Sequence, residues 1–338
     1  MVAQSYANLE LPETLEVDRH YYELQQLDQA LRYYSDEGYV VIRRLIPDEL
    51  CDRVRAAFEQ EVRRSSTPIL RQKNMRYEQN RFTSAGFLEN PIFNIQDLHT
   101  KTFGAFKSRA LDVLTHSRVA EVTEAILGGP VKMVQSMFFE AAAGTWAHQD
   151  SYYQDSSAGL GRMAAGWYAL EDIDAGAGRF FVCPQSHRRV ELVKNEGPNN
   201  FASGHERYKE AMAEAIERAQ CRIVAPFMGK GDVLFWSSLT AHGSLEGANP
   251  AVSRASLTAH YLRASDQMLQ FHSRIRHQRT QPRNKMEVAL LHDQDSLMNR
   301  AISGVSFAFP ESVEQVRRLA MWAVIHAKNG VAASARRN

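Results

Sequence analysis

The sequence predicts an α+β fold with a mainly β core, an antiparallel sandwich or barrel that carries a helical N-terminal layer, one helical insertion and a C-terminal helix. Three observations predict it. Apolar residues recur at helical spacing up to the cluster Gly128-Gly129-Pro130. After Pro130 the texture changes to short runs of β-formers separated by Gly, Pro or Asn. No internal repeat, linker or low-complexity segment divides the 338 residues, so one domain over 1–338 is expected, with a helical part over about 15–128, a β core over about 131–262 and an extension over 263–338.

The helical layer begins with Leu24, Leu27, Leu31 and Tyr34 and stops at Gly38. Tyr39-Val40-Val41-Ile42 is β-branched and aromatic and reads as a strand. Pro47 and Asp48 open a helix through Leu50, Val54, Phe58 and Val62. Residues 65–95 are polar and irregular, and a single helix fits Val113 to Leu127, ended by the Gly-Gly-Pro cluster. The strands expected next are Val131–Glu140, Thr145–Asp150, Met163–Leu170, Arg179–Cys183, Arg222–Pro226, Asp232–Trp236 and Ala255–Leu262. Tyr208, Met212 and Ile216 mark a helix over His205–Ala219, and a last helix starts at Pro310 with Val313, Val316, Ala320 and Ala323 on one stripe.

Composition narrows the function. Hydrophobic residues make up 44% and charged residues 23%, which excludes disorder as a whole-chain reading. Lys and Arg total 40 against 39 for Asp and Glu, and a formal net charge of +1 provides no basic field for a phosphate backbone, so no nucleic-acid partner is expected. No apolar window is long enough to span a bilayer, and Met1-Val2-Ala3-Gln4-Ser5 lacks a basic stretch before an apolar core, so a cytoplasmic protein with no membrane partner is expected. Cys51, Cys183 and Cys221 are far apart, without the spacing of a thiolate zinc site, and read as small buried hydrophobes.

The chemistry concentrates in a few residues. In Trp146-Ala147-His148-Gln149-Asp150, strand alternation points His148 and Asp150 to one face, an imidazole and a carboxylate able to converge on a cation. A third ligand is available at His242, after the buried run Gly231-Asp232-Val233-Leu234-Phe235-Trp236. Two histidines and one carboxylate on one side of a metal leave positions open and suit Fe(II) oxygen chemistry. Twelve residues past His242 stands Arg254, sharing a strand face with Ser256 and Thr258; a dicarboxylate's far carboxylate would accept the fork its guanidinium donates.

These residues resemble the phytanoyl-CoA dioxygenase family of Fe(II)- and 2-oxoglutarate-dependent oxygenases, in which H-x-D, a distal His and an Arg about a dozen residues later recur in this order. The resemblance extends to Gly166-Trp167-Tyr168-Ala169-Leu170, to Gly178-Arg179 and to Pro184-Gln185-Ser186-His187, over roughly residues 35–262. It implies a double-stranded β-helix (a jelly-roll, cupin-like core) with iron at His148, Asp150 and His242. The cosubstrate 2-oxoglutarate would reach Arg254, and Trp167, Gln135, Met137, Gln149, Ser244 and Asn94 would line its pocket. The implied reaction uses O2, releases succinate and CO2, and most often hydroxylates an unactivated C–H bond of a small metabolite, with biosynthetic or secondary metabolism as the setting. Asp150 excludes the halogenase branch, in which a small residue replaces the carboxylate. Gln185 departs from the family's P-G-S-H turn, and Phe180-Phe181-Val182 is more aromatic than usual.

Tyr152 and Tyr153 follow the motif directly, and one of them is expected to face the reaction chamber while the other packs outward. Phe181 and Arg81 are expected in the substrate environment. Arg71, Lys73, Arg76 and Arg81 lie in a stretch that reads either as a lid or as a solvated loop. His187 reads as a packing residue, His260 shares the Arg254 face and reads either as a core histidine or as a residue near the pocket, and His292 with Asp293 and Asp295 reads as solvated surface. The same iron site also serves desaturation, cyclisation or multi-step oxidation. A zinc hydrolase or a non-catalytic binding protein on this fold are the other readings, with the protein a monomer or a homodimer.

Overall fold

The computed structural model describes residues 5–6, 9–10, 20–141, 144–192, 205–271 and 274–316. Helix α1 (Leu27–Glu37) ends at Gly38, whose φ of 83° makes a left-handed cap with its N–H on the Tyr34 carbonyl. A Cβ there would lie 2.4 Å from His187 Nδ1 and 2.5 Å from Thr240 Oγ1, so the position requires glycine twice over. Strand β1 (Tyr39–Ile42) follows at once and is buried throughout. Helix α2 (Asp48–Ala57) starts after Pro47 and continues as a wider turn over Phe58–Val62.

The helix expected over Val113–Leu127 is α4 (Ser117–Leu127), and a further helix that was not expected, α3 (Thr100–Leu114), precedes it. Thr115 Oγ1 donates back to the Leu111 carbonyl at 2.7 Å, and His116 turns extended so that its Nδ1 accepts from the Arg118 N–H. Local hydrogen bonds therefore break a run that apolar periodicity alone would carry through.

The strands are β2 (Val131–Phe139), β3 (Thr145–His148), β4 (Met163–Ala169), β5 (Phe180–Val182), β6 (Val233–Ser237), β7 (His242–Ser244), β8 (Ser256–Arg263), β9 (Arg279–Arg283) and β10 (Met286–Leu290). The large sheet runs β9-β10-β2-β8-β4-β6-β1, then Tyr21–Tyr22, with Ile92–Phe93 also on β2. Its pairs are antiparallel except β10 with β2 and Tyr21–Tyr22 with β1. The small sheet runs β5-β7-β3. Their inner faces share one core, in which Tyr39, Val41, Ala165, Trp167, Leu234 and Trp236 of the large sheet meet Phe180 and Val182 of the small one. The result is a double-stranded β-helix in an α+β chain.

Alternation along the strands explains the other layers. Val40, Tyr168, Phe235, Leu257 and Ala259 point away from that core and pack against α2, α3 and α4. Phe181 and Ala147 point away from the small sheet and are covered by Tyr208, Met212 and Ile216 of helix α5 (His205–Arg218).

Three expectations change. Arg222–Pro226 forms no strand, only a single bridge from Val224 to Val182. The extension after β8 is not limited to a terminal helix, since β9 and β10 extend the large sheet and helix α6 (Leu297–Ala308) is capped by Ser296. Helical structure resumes at 310–316 as expected, with Val316 exposed, while Ala320 and Ala323 lie outside the described residues. The 65–95 stretch is not a solvated loop: Arg71 is fully buried and donates to the carbonyls of Glu78 and Asn90 and to Asn80 Oδ1, while Arg76 pairs with Glu311 and Glu314.

Candidate metal centre

Strand β3 delivers His148 at its last position, and β7 sets His242 directly opposite it in register, with ring centroids 4.3 Å apart. The two strands approach closely because Gly243 has no side chain; a Cβ there would lie 2.5 Å from the Thr145 carbonyl oxygen and 2.7 Å from the Phe181 ring. Asp150 does not continue the strand. It opens a one-turn 3₁₀ helix over Asp150–Tyr152, and this turn brings its carboxylate to the imidazoles. Among the described residues, His148, Asp150 and His242 form a group whose ligand atoms all lie within 4.8 Å of one another.

The protonation pattern suits a cation. His148 Nδ1 lies 2.9 Å from the Trp146 carbonyl and His242 Nδ1 2.9 Å from the Thr240 carbonyl. A carbonyl only accepts, so each Nδ1 carries the proton and each Nε2 offers a lone pair. Those Nε2 atoms stand 3.7 and 3.6 Å from Asp150 Oδ1, too far for hydrogen bonds and near enough for all three atoms to face a single ion. Burial pushes the His242 imidazole down to about 3, which keeps it neutral as a ligand must be. Burial alone would raise the Asp150 carboxyl, but His242, His260 and His148 around it hold it well below the usual carboxylate range. Its other oxygen, Oδ2, accepts from Trp236 Nε1 at 2.8 Å and lies 3.2 Å from His260 Nε2.

Pairing register places several further residues on the inner face beside this group. Gln135 and Met137 of β2 stand opposite His260 and Thr258 of β8, and Trp167 of β4 stands opposite Thr258 on the other side. Gln135 contacts Gln154, Trp167 lies against Phe180, and Met137 joins Leu70, Tyr77 and Phe93 in a small apolar cluster. Ser244 follows His242 with the same parity and is buried. Arg254, of the same parity as Ser256, Thr258 and His260, is 2% exposed; its Nη1 donates to the Gly178 carbonyl at 2.6 Å and its guanidinium lies 6.0 Å from the Phe139 ring.

Other expected residues are placed elsewhere. Gln149 points opposite to its neighbours, and its Nε2 donates to the Leu239 carbonyl at 2.8 Å. Asn94 turns to Asp97 and lines a separate cavity of about 250 Å³ formed with Thr67, Phe103 and Gln294. Phe181 faces away from the barrel interior, under α5. Tyr152 stacks on Tyr208 at 3.8 Å in that same outer cluster, whereas Tyr153 sets its ring edge against His148 at 5.9 Å. Arg81 is exposed and pairs with Glu78. The cluster at 292–295 is structural: Asp295 accepts from the Thr100 N–H and Lys107 Nζ at the start of α3. His187 sits against the Ser35 carbonyl.

Sequence reasoning missed Trp236 and, although it set His260 on the Arg254 face, missed the contact of His260 with Asp150. Both sit in apolar strands where an aromatic ring reads as core. The available signal was parity, since His260 shares the parity of Arg254 and faces inward with it.

A family model for phytanoyl-CoA dioxygenase matches residues 34–256. Peroxisomal phytanoyl-CoA dioxygenase of Homo sapiens is 23% identical over 252 residues, 68% of this chain and 69% of the human protein. Among solved structures, the epimerase SnoN in complex with Fe3+, alpha ketoglutarate and nogalamycin RO aligns with a TM-score of 0.54 and 16% identity, over 80% of this chain and 97% of its own. EctD from S. alaskensis in its apo form aligns with a TM-score of 0.53 and 18% identity, over 86% and 98%. The carbocyclase SnoK from nogalamycin biosynthesis gives 0.52 and 18%, over 71% and 85%. The structural likeness establishes the shared fold, and the family match spans most of the helical layer and the β core; the chain belongs to the phytanoyl-CoA dioxygenase family of Fe(II)- and 2-oxoglutarate-dependent oxygenases.

Proposed function

We propose that this protein uses Fe(II), 2-oxoglutarate and O2 to hydroxylate an unactivated C–H bond of a small biosynthetic metabolite, with succinate and CO2 as co-products. One oxygen atom enters the metabolite and the other enters succinate. The observation that carries the proposal is the convergence of His148 Nε2, His242 Nε2 and Asp150 Oδ1, with both Nδ1 protons already taken by backbone carbonyls. These three residues would hold iron, which would supply the redox chemistry of oxygen activation there.

The chain's own residues do the rest. The two imidazoles and one carboxylate would hold iron from one side and leave positions open for cosubstrate and dioxygen. Arg254, buried at the end of the inner face, holds the far carboxylate of 2-oxoglutarate, and Thr258, Trp167 and Met137 wall the path between. Substrate approaches from the His148 side, where the side chain is 16% exposed against 3% for His242, and Tyr153 forms the wall of that opening. The choice of a biosynthetic metabolite is supported by the two nogalamycin enzymes that share the fold.

Succinate release tests the proposal. His148→Ala and Asp150→Ala abolish it while far-UV circular dichroism stays that of the parent, and in the parent protein Fe(II) restores it after chelation whereas Zn(II) does not. Restoration by Zn(II), or full activity in either variant, contradicts the assignment.

A further inference from the structure

We propose that Trp236 and His260 are positioning residues that clamp Asp150 as a one-oxygen ligand, through a cradle built across three strands of the large sheet. The inference rests on the iron-site reading above and adds a division of labour between the two carboxylate oxygens. Oδ1 faces both ligand imidazoles, at 3.7 and 3.6 Å. Oδ2 faces away from them, toward Trp236 Nε1 at 2.8 Å and His260 Nε2 at 3.2 Å.

The cradle follows from register. Ala165 on β4 is paired with Trp236 on β6 and with His260 on β8, so the three side chains form one row across the inner face. Its outer members are large and its middle member is a methyl group. The ring centroids of Trp236 and His260 lie 6.3 Å apart, and the Asp150 carboxylate, carried on the turn after β3, reaches both of them with Oδ2. Trp236 and His260 are 1% and 2% exposed, so water does not compete for Oδ2.

The indole donates only, which fixes Oδ2 as an acceptor whatever the metal state. With the Trp236 N–H bonded to it and His260 Nε2 beside it at 3.2 Å, Oδ2 is held turned away from the two ligand imidazoles. A carboxylate bound through both oxygens would take a coordination position that the keto acid or dioxygen requires; the cradle keeps that position free. It also holds the carboxylate against rotation before the metal arrives, so the site is set in advance of loading.

The test compares Trp236→Phe, His260→Phe and His260→Gln with the parent in anaerobic Fe(II) titrations, with and without 2-oxoglutarate. Both Phe variants weaken Fe(II) binding about 10- to 100-fold and shift the visible absorption of the iron–keto acid complex. His260→Gln, which keeps an N–H donor, recovers most of the affinity and the parent band. Parent-like affinity and band position in both Phe variants overturn the proposal, as does equal loss in His260→Gln and His260→Phe with an unshifted band. Near-UV circular dichroism confirms folding in each variant. Parent protein that takes up no iron, or no more than Asp150→Ala does, contradicts the iron-site reading itself; parent protein that binds iron tightly while both Phe variants match it overturns only the cradle.

Discussion

Replacing Arg254 by Ala removes the one buried guanidinium that the iron-site reading assigns to the cosubstrate. The side chain is 2% exposed, and its Nη1 is anchored on the Gly178 carbonyl at 2.6 Å, so the charge is held in place before any ligand arrives. A charge-assisted hydrogen bond contributes roughly 1.5–3 kcal/mol, and a fork on a carboxylate falls at the upper end of that range. At about 1.4 kcal/mol per decade, the apparent KM for 2-oxoglutarate rises about 30- to 150-fold in Arg254→Ala. Arg254→Lys keeps a point charge without the fork and falls between the two. The backbone N–H of residue 254, bonded to the Glu140 carbonyl, survives both substitutions, so the start of β8 is retained. The assay is succinate release against 2-oxoglutarate concentration, with the Fe(II) affinity measured separately in the absence of cosubstrate. The affinity for iron stays that of the parent. An unchanged KM in folded Arg254→Ala places the cosubstrate carboxylate elsewhere and refutes the reasoning.

Three further outcomes are expected. Arg71→Met leaves the carbonyls of Glu78 and Asn90 and the Asn80 side chain without their buried donor and lowers stability by about 3 kcal/mol, read by urea unfolding; a loss below about 0.5 kcal/mol contradicts the role given to Arg71. Burial pushes the Asp97 carboxyl up to about 6, so the native state binds its proton more tightly than the unfolded chain, and this group's contribution falls as pH rises from about 4 to 6, by up to about 3 kcal/mol. The difference between parent and Asp97→Asn stability curves isolates that slope, and a flat or opposite difference refutes it. Gly243→Ala forces a Cβ against the Thr145 carbonyl and the Phe181 ring, separates β7 from β3 and lowers Fe(II) affinity at least tenfold; parent-like iron binding counts against the close approach as the reason for glycine.

The strands most legible in the sequence are those in which β-branched and aromatic residues fill both faces, such as Tyr39–Ile42 and Val233–Ser237, because both of their faces are buried. Strand β7 is hidden for the opposite reason. His-Gly-Ser has little strand preference of its own, and its extended form comes from pairing on both sides. The hairpin of β9 and β10 includes Pro282 and several exposed charges, as an edge strand permits, and such a pattern resembles a loop. At the candidate site the three ligand residues were legible from spacing, although strand alternation was the wrong reason for Asp150, which stands in a turn. The donors to its second oxygen were not legible, since a tryptophan and a histidine inside apolar strands look like packing until register sets them on either side of Ala165. Gln149 and Phe181 show the converse: they neighbour inward-facing residues in sequence and therefore point away from them.

The central claim is that His148, Asp150 and His242 hold an iron ion on which 2-oxoglutarate chelates. An anaerobic titration of the metal-free protein with Fe(II) and then 2-oxoglutarate tests it most directly, through the visible charge-transfer absorption of a keto acid bound to ferrous iron. The account predicts a band that needs both additions, saturates at one iron per chain and disappears in His242→Ala. Folded protein that binds the metal yet gives no band, or a band that persists in His242→Ala, contradicts it.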